Sequence, residues 1–277
     1  MKLAFSTLPC ENWPFEKTLE LCREHAIDGI ELRLGTDEWS DDSMTVGYAN
    51  EMLKKLDDYH VRITNIGSSV LVRGFQEDKM QEYIKSLRLA KLLRAKGVRV
   101  FLGNFLTNFS DEKEDLDYNG IVRWIKEAAD ISSRDGIEIW IETHNEFATG
   151  RALKGLMKDV DKANCKIIWD IMHPIEQNET VAETIHEIWD YVAHFHIKDG
   201  KKPFDEDKAN WDYTKLGEGT LPIAEIVEKA EKLGFDGYYS LEWESKWRDE
   251  INQPGCEGEV IIPQFARYMR AKGGINK

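Results

Sequence analysis

Short runs of strand-type hydrophobicity alternate with longer runs of helical period along the whole chain. Strands are predicted at 2–6, 29–33, 62–66, 98–102, 138–142, 166–170, 193–198 and 238–243. Amphipathic helices are predicted at 15–26, 51–60, 79–96, 120–134, 151–160, 180–191, 223–233 and 260–272. In 79–96, for example, Tyr83, Leu87, Ala90 and Leu93 recur at the intervals of one helix face. Eight strand-then-helix units without a Pro/Ser-rich linker or a low-complexity segment predict one closed (β/α)8 barrel, an α/β fold spanning residues 1–277 as a single domain. An open doubly wound sheet fits less well, because no G-x-G-x-x-G follows the first strand; for the same reason no nucleotide cofactor is expected. The glycines at the joints Ile27-Asp28-Gly29, Lys96-Gly97-Val98 and Leu233-Gly234-Phe235 read as left-handed residues that end the preceding helices.

The later strands add chemistry to this pattern. Their odd positions are apolar: Ile139 and Ile141, Ile167 and Trp169, Phe195 and Ile197, Tyr239, Leu241 and Trp243. Their late even positions are ionisable: Glu142 and His144, Asp170, His194, His196 and Lys198, Glu242 and Glu244. Alternate residues of a strand face opposite sides, so each strand turns one polar face towards its C-terminal end, where the mouth of such a barrel lies. Three carboxylates and an imidazole on matching faces point to a divalent metal held by Glu142, Asp170, His196 and Glu242. Oxygen donors with one imidazole suit Mn²⁺, Mg²⁺ or Co²⁺ and also admit Zn²⁺. His173, just past the strand carrying Asp170, is placed to hydrogen-bond a substrate oxygen, and Lys198 to orient a hydroxyl or phosphate. His144, His194 and Glu244 are expected to hold the metal-binding groups through hydrogen bonds. Trp243 and Trp247 read as packing residues.

Spacing marks one loop as unusual. Glu142 and Asp170 are 28 positions apart, Asp170 and His196 26, but His196 and Glu242 46. The excess lies in 199–219, a loop expected over the mouth as a lid; with 37–44 it should shape substrate choice. The formal charge of −14 disfavours nucleic acid as a partner. The four cysteines form no C-x-x-C pair and read as reduced, buried thiols. Without an export signal or a membrane span, the chain is expected in the cytoplasm.

The phrases Trp140-Ile141-Glu142-Thr143-His144, Asp170-Ile171-Met172-His173, His194-Phe195-His196-Ile197-Lys198-Asp199, Leu216-Gly217-Glu218-Gly219 and Ser240-Leu241-Glu242-Trp243-Glu244 together resemble the xylose-isomerase-like barrels, nearly end to end. That family holds sugar-phosphate isomerases and epimerases, ketose 3-epimerases and an apurinic-site endonuclease. The resemblance implies that Glu142, Asp170, His196 and Glu242 hold one divalent metal ion, that Glu142 and Glu242 also move protons, and that His173 touches substrate. Two departures stand out. Ketose epimerases carry a substrate-binding arginine shortly after the histidine matching His196, whereas no arginine lies here between His196 and Arg248. The endonuclease needs further histidines, and this chain has none between His60 and His144 or after His196. The expected function is a metal-dependent isomerase or epimerase of a small sugar, polyol or sugar phosphate, working through an enediolate. The alternatives are a dehydratase of a cyclic polyol or keto-inositol, then an abasic-site endonuclease or a non-catalytic sugar-binding barrel. Homo-oligomerisation is left open.

Overall fold

A computed structural model describes residues 1–35 and 43–272 of the chain; most of the predicted 37–44 loop lies outside them. The strands are β1 (Lys2–Ser6), β2 (Gly29–Arg33), β3 (Arg62–Gly67), β4 (Leu71–Val72), β5 (Gly97–Leu102), β6 (Glu138–Glu142), β7 (Cys165–Asp170), β8 (Val192–Ile197), β9 (Asp199–Lys201), β10 (Asp212–Thr214) and β11 (Tyr238–Leu241). Eight of them run parallel in the order β3-β2-β1-β11-β8-β7-β6-β5, and β3 pairs with β5 to close the barrel. The two-residue β4 adds to the β5 side, and β9 and β10 form an antiparallel hairpin. Helices α1 (Phe15–Glu24), α2 (Val46–Tyr59), α3 (Glu77–Leu93), α4 (Tyr118–Ser133), α5 (Gly150–Val160), α6 (His173–Glu176), α7 (Val181–Ile188), α8 (Ile223–Lys232) and α9 (Gly258–Lys272) fill the connections.

Local chemistry explains the helix starts. Thr45, Asp117 and Thr149 each accept a hydrogen bond from a backbone N–H of the first turn, and Thr180 with Glu183 forms a reciprocal capping box. Among the described residues no helix is long and apolar enough to cross a membrane. All four cysteines are buried and free.

The alternation seen in the sequence becomes two faces of one barrel wall. Ile139, Ile141, Ile167, Trp169, Phe195, Ile197, Tyr239 and Leu241 are buried. They line the helix side, where Tyr239 stacks on Phe195 and bonds Glu231 of α8. The opposite face meets across the lumen. Glu31 of β2 touches His194 and His196 of β8, although β1 and β11 lie between them in the sheet, which the lumen alone allows.

The joint glycines divide into two kinds. Gly234 has φ +78° and ends α8 as expected. At the other two joints the left-handed residues are Ala26 and Arg94, while Gly29 and Gly97 lie inside β2 and β5. The reason is packing: a Cβ at Gly97 would overlap the Trp140 indole, and one at Gly29 would overlap Thr64 and Tyr238. Trp140 in turn stacks on His194, so Gly97 makes room for the floor of the lumen.

The long excursion after β8 is fastened at both ends. The Asp199 carboxylate accepts backbone N–H bonds from Gly200, Gly217, Gly219 and Leu221, at 2.9 to 3.2 Å. Its tip is strapped across the mouth to the loop after β5: Phe109 N donates to Asp207 O, Ala209 N to Thr107 O, and the Asn210 amide to Leu106 O. Gly97→Ala should cost about 1–3 kcal/mol of stability through overpacking on Trp140. Urea denaturation measures it, and a cost near zero would show that the indole shifts freely.

Candidate functional site

The C-terminal ends of β6, β7 and β8, with the first residue beyond β11, place Glu142, Asp170, His196 and Glu242 in one buried cluster. One donor atom from each lies within 4.8 Å of all the others. His196 turns Nδ1 towards the acids, 3.2 Å from Glu242 Oε2 and 3.4 Å from Glu142 Oε1. Its Nε2 lies 2.9 Å from Glu31 Oε2, which His194 Nε2 and the Ser240 hydroxyl also approach, at 3.2 and 3.3 Å.

Burying several carboxylates together is unfavourable unless cations accompany them. Arg99, projecting from β5, donates from Nη1 to Glu142 Oε2 (3.1 Å) and Glu242 Oε1 (2.8 Å), while Ser68 O holds its other nitrogens. Lys198 Nζ sits 2.6 Å from both Asp170 Oδ2 and Glu242 Oε2, 3.0 Å from Tyr213 Oη and 3.4 Å from Glu244 Oε1.

The ionisation states follow from these partners. Burial opposes every charge here, but His196, Lys198 and Arg99 outweigh it and hold the Glu242 carboxyl well below its usual range. Glu142 is lowered too, with burial and Glu242 opposing and His196 and Arg99 prevailing. At Asp170 burial wins and the carboxyl is raised. Against burial, the three glutamates raise His196 well above an ordinary histidine, and Asp170 with Glu242 raises Lys198. Within the four-donor cluster two atoms lack an aligned hydrogen bond, Asp170 Oδ2 and His196 Nδ1; around it Glu31 Oε1, His194 Nδ1 and His173 Nε2 lack one too.

The other sequence-predicted residues occupy distinct places. His173 bonds Glu176 through Nδ1 at 2.7 Å, and its unpartnered Nε2 lies 3.6 Å from Asp170 Oδ2. Burial notwithstanding, Asp170 and Glu176 push His173 up to about 9. Glu176 also accepts the Trp211 backbone N–H at 2.7 Å, tying the excursion to this dyad. His144 makes no hydrogen bond to the four donors; it bonds Asn145 and lies 4.4 Å, ring to ring, from His173. Burial and the neighbouring His173 lower it to about 4. Glu244 lies between Lys198 and Arg248, and His194 reaches the cluster through Glu31.

Glu31, Arg33, Arg99 and Tyr213 were not singled out from the sequence. The alternation that exposed the later strands also runs through Ile30-Glu31-Leu32-Arg33 and Val98-Arg99-Val100, so the signal was available in β2 and β5. Trp247 departs from its expected packing role. It is 55% exposed and lines a cavity of about 450 Å³ that opens beside Glu242, whereas Trp243 is buried as expected.

A family model described as xylose isomerase-like TIM barrel matches residues 19–271. D-psicose 3-epimerase of Ruminiclostridium cellulolyticum is 23% identical over 49% of this chain and 44% of its own. The chain spans about half the length of the curated relatives it matches, which include an uncharacterised Methanocaldococcus jannaschii protein, 29% identical over 62% of this chain and 56% of its own. Two solved structures share the fold, each with a TM-score of 0.77. The probable 3-DHS dehydratase AsbF of Bacillus anthracis is 19% identical, covering 97% of this chain and 98% of its own. The IOLI protein with a bound zinc atom is 18% identical, covering 99% and 98%.

Arg99→Met leaves two buried carboxylates short of their shared donor and should destabilise the protein by about 3–5 kcal/mol. Chemical denaturation checks it, and a loss below about 1 kcal/mol would mean that the cluster relaxes or takes up protons at little cost.

Proposed function

Because the chain belongs to the xylose isomerase-like TIM-barrel family, we propose that it is a divalent-metal-dependent isomerase or epimerase of a small sugar, polyol or sugar phosphate. The observation that carries this reading is the convergence of Glu142, Asp170, His196 and Glu242, with two of their donor atoms lacking an aligned hydrogen bond. Three carboxylates and an imidazole fit Mn²⁺, Mg²⁺, Co²⁺ or Zn²⁺. When bound, such an ion supplies Lewis acidity towards a carbonyl and its adjacent hydroxyl.

The chain's own groups do the rest. Glu142 and Glu242 are the acid–base pair: one carboxylate takes the proton from the carbon beside the carbonyl, and the other returns one. Return to the opposite face of the same carbon is epimerisation, and delivery to the neighbouring carbon is isomerisation. Arg99 Nη1, bonded to both, favours the ionised form of each and holds the pair in register; the carboxylate that returns a proton therefore first takes one from a substrate hydroxyl or from solvent. His173, oriented by Glu176, presents Nε2 to a substrate oxygen. Glu31 fixes the His196 ring by binding Nε2, leaving Nδ1 for the ion. The Ruminiclostridium epimerase supports this reading, because its activity is of the same class.

One observation favours dehydration as the second reading. The same His173 Nε2 could protonate a departing hydroxyl, and the AsbF-like fold is compatible with that chemistry. Loss of water in the product mass separates the two.

The deciding experiment incubates the full-length protein and Mn²⁺ in D₂O with ketoses, aldoses, inositols and their phosphates. Chelator-sensitive deuterium incorporation into at least one of them is expected, and no exchange or water loss anywhere would overturn the reading. Glu142→Gln and Glu242→Gln should each slow the exchange by roughly 10²–10⁴-fold; full-rate exchange in either would remove that residue from the pair. Glu31→Gln should weaken Mn²⁺ binding by about 10–100-fold in calorimetry, with the circular dichroism spectrum unchanged. Unaltered affinity would refute its positioning role.

A further inference from the structure

The cavity of about 450 Å³ that opens over Glu242 is within the range of small-molecule sites, roughly 300–1,000 Å³. Its wall combines Arg33, Ser69, Trp247 and Arg248, contributed by three separate segments of the chain. We infer that this wall is an anion-binding subsite and that the substrate carries a carboxylate or phosphate, gripped by Arg33, Arg248 and Ser69 while its reacting end lies at the acid cluster. The inference rests on the function proposed above for that cluster.

Arg248 is the clearest part of the subsite. Its Nε donates to Glu244 Oε2 at 3.2 Å, and its guanidinium lies over the Tyr213 ring, 4.5 Å from the centroid. These contacts fix one edge and one face of the group. Among the described residues no acceptor meets its terminal nitrogens, although the side chain is only 16% exposed. A desolvated guanidinium whose fork is unused suits bidentate recognition of a carboxylate or phosphate.

Arg33 lines the same cavity and is anchored by its own partners. Its two terminal nitrogens donate to Gly67 O at 2.8 Å and Ser69 Oγ at 2.6 Å, and its guanidinium lies 6.0 Å from the Trp247 ring. Ser69 accepts from Arg33 and is itself exposed, so its hydroxyl proton is free to point into the cavity. Burial and the neighbouring Arg99 lower Arg33 to about 10, the direction expected where positive charge is concentrated in a dry site.

The carboxylates nearest Arg248 are shared with other cations. Glu242 is engaged by Arg99 and Lys198, and Glu244 is shared between Lys198 and Arg248. An entering anion would meet the unused fork of Arg248 in a cavity whose lining also includes Arg33 and Ser69.

The test titrates the full-length, chelator-treated protein with matched sets: glucose, glucose 6-phosphate and glucuronate, then fructose and fructose 6-phosphate. At least one charged member should bind about tenfold or more tightly than its neutral parent, the strength expected of a charge-assisted hydrogen bond. Rising ionic strength should erode that preference, Arg248→Gln should bring it near unity, and Arg248→Lys should keep part of it. The phosphate and uronate arms identify which anion is read. The inference is overturned if no charged member outbinds its parent, or if the preference survives in Arg248→Gln. Because the binding is measured without metal or turnover, failure of the exchange chemistry leaves this result standing. Exchange on neutral sugars without an anion preference would sink this inference alone.

Discussion

Compensation of buried negative charge in the lumen is the constraint on which the site depends. Glu31, Glu142, Asp170 and Glu242 are almost fully removed from water and face one another across a narrow barrel. Such a group stands only if positive charge is delivered from the wall, and Arg99, His196 and Lys198 deliver it from β5, β8 and the residue that follows β8. The result is a preorganised set of oxygens and one imidazole nitrogen, held by strands rather than by loops. A divalent cation would take over part of this compensation, in competition with Lys198 for Asp170 and Glu242.

The parts of the molecule divide the work according to their stiffness. Strand ends hold the acids and the imidazole, because proton transfer tolerates little displacement. The segments beyond the barrel strands supply the groups at the rim: His173 in α6 after β7, Tyr213 in the β9–β10 hairpin, and Trp247 with Arg248 after β11. Below them the lumen is sealed by Trp140 stacked on His194, a floor that exists because Gly97 carries no side chain. Fold and chemistry therefore meet at one layer, and a disturbance of the floor is transmitted upward through His194 and Glu31 to His196.

Much of this was legible in the sequence because strand alternation is a strong signal wherever one face is apolar and the other ionisable. The eight strands, the closed barrel and the meeting of Glu142, Asp170, His196 and Glu242 all follow from it. The same rule would have found Glu31 and Arg99, but isolated charges in short apolar strands carry no motif and stand far from the others in sequence. The lysine was harder to place. Position alone put Lys198 on the polar face, yet its attachment to Asp170 and Glu242 rather than to open solvent depends on distances across the lumen. The glycines misled for a physical reason: a residue without a side chain serves a helix end and a crowded strand equally well, and only the neighbour, Trp140 or Thr64, decides which. Trp247 likewise looked like a core residue until the loop carried it to the rim.

The Asp199 carboxylate, collecting four backbone donors at the base of the excursion, gives that segment the character of a handle riveted to the barrel. Once the rivet is set, lengthening the chain above it adds only about 0.6 kcal/mol per doubling. Insertions can therefore accumulate there without retuning β8 or β11. The barrel can exchange its mouthpiece while its reactive floor stays the same.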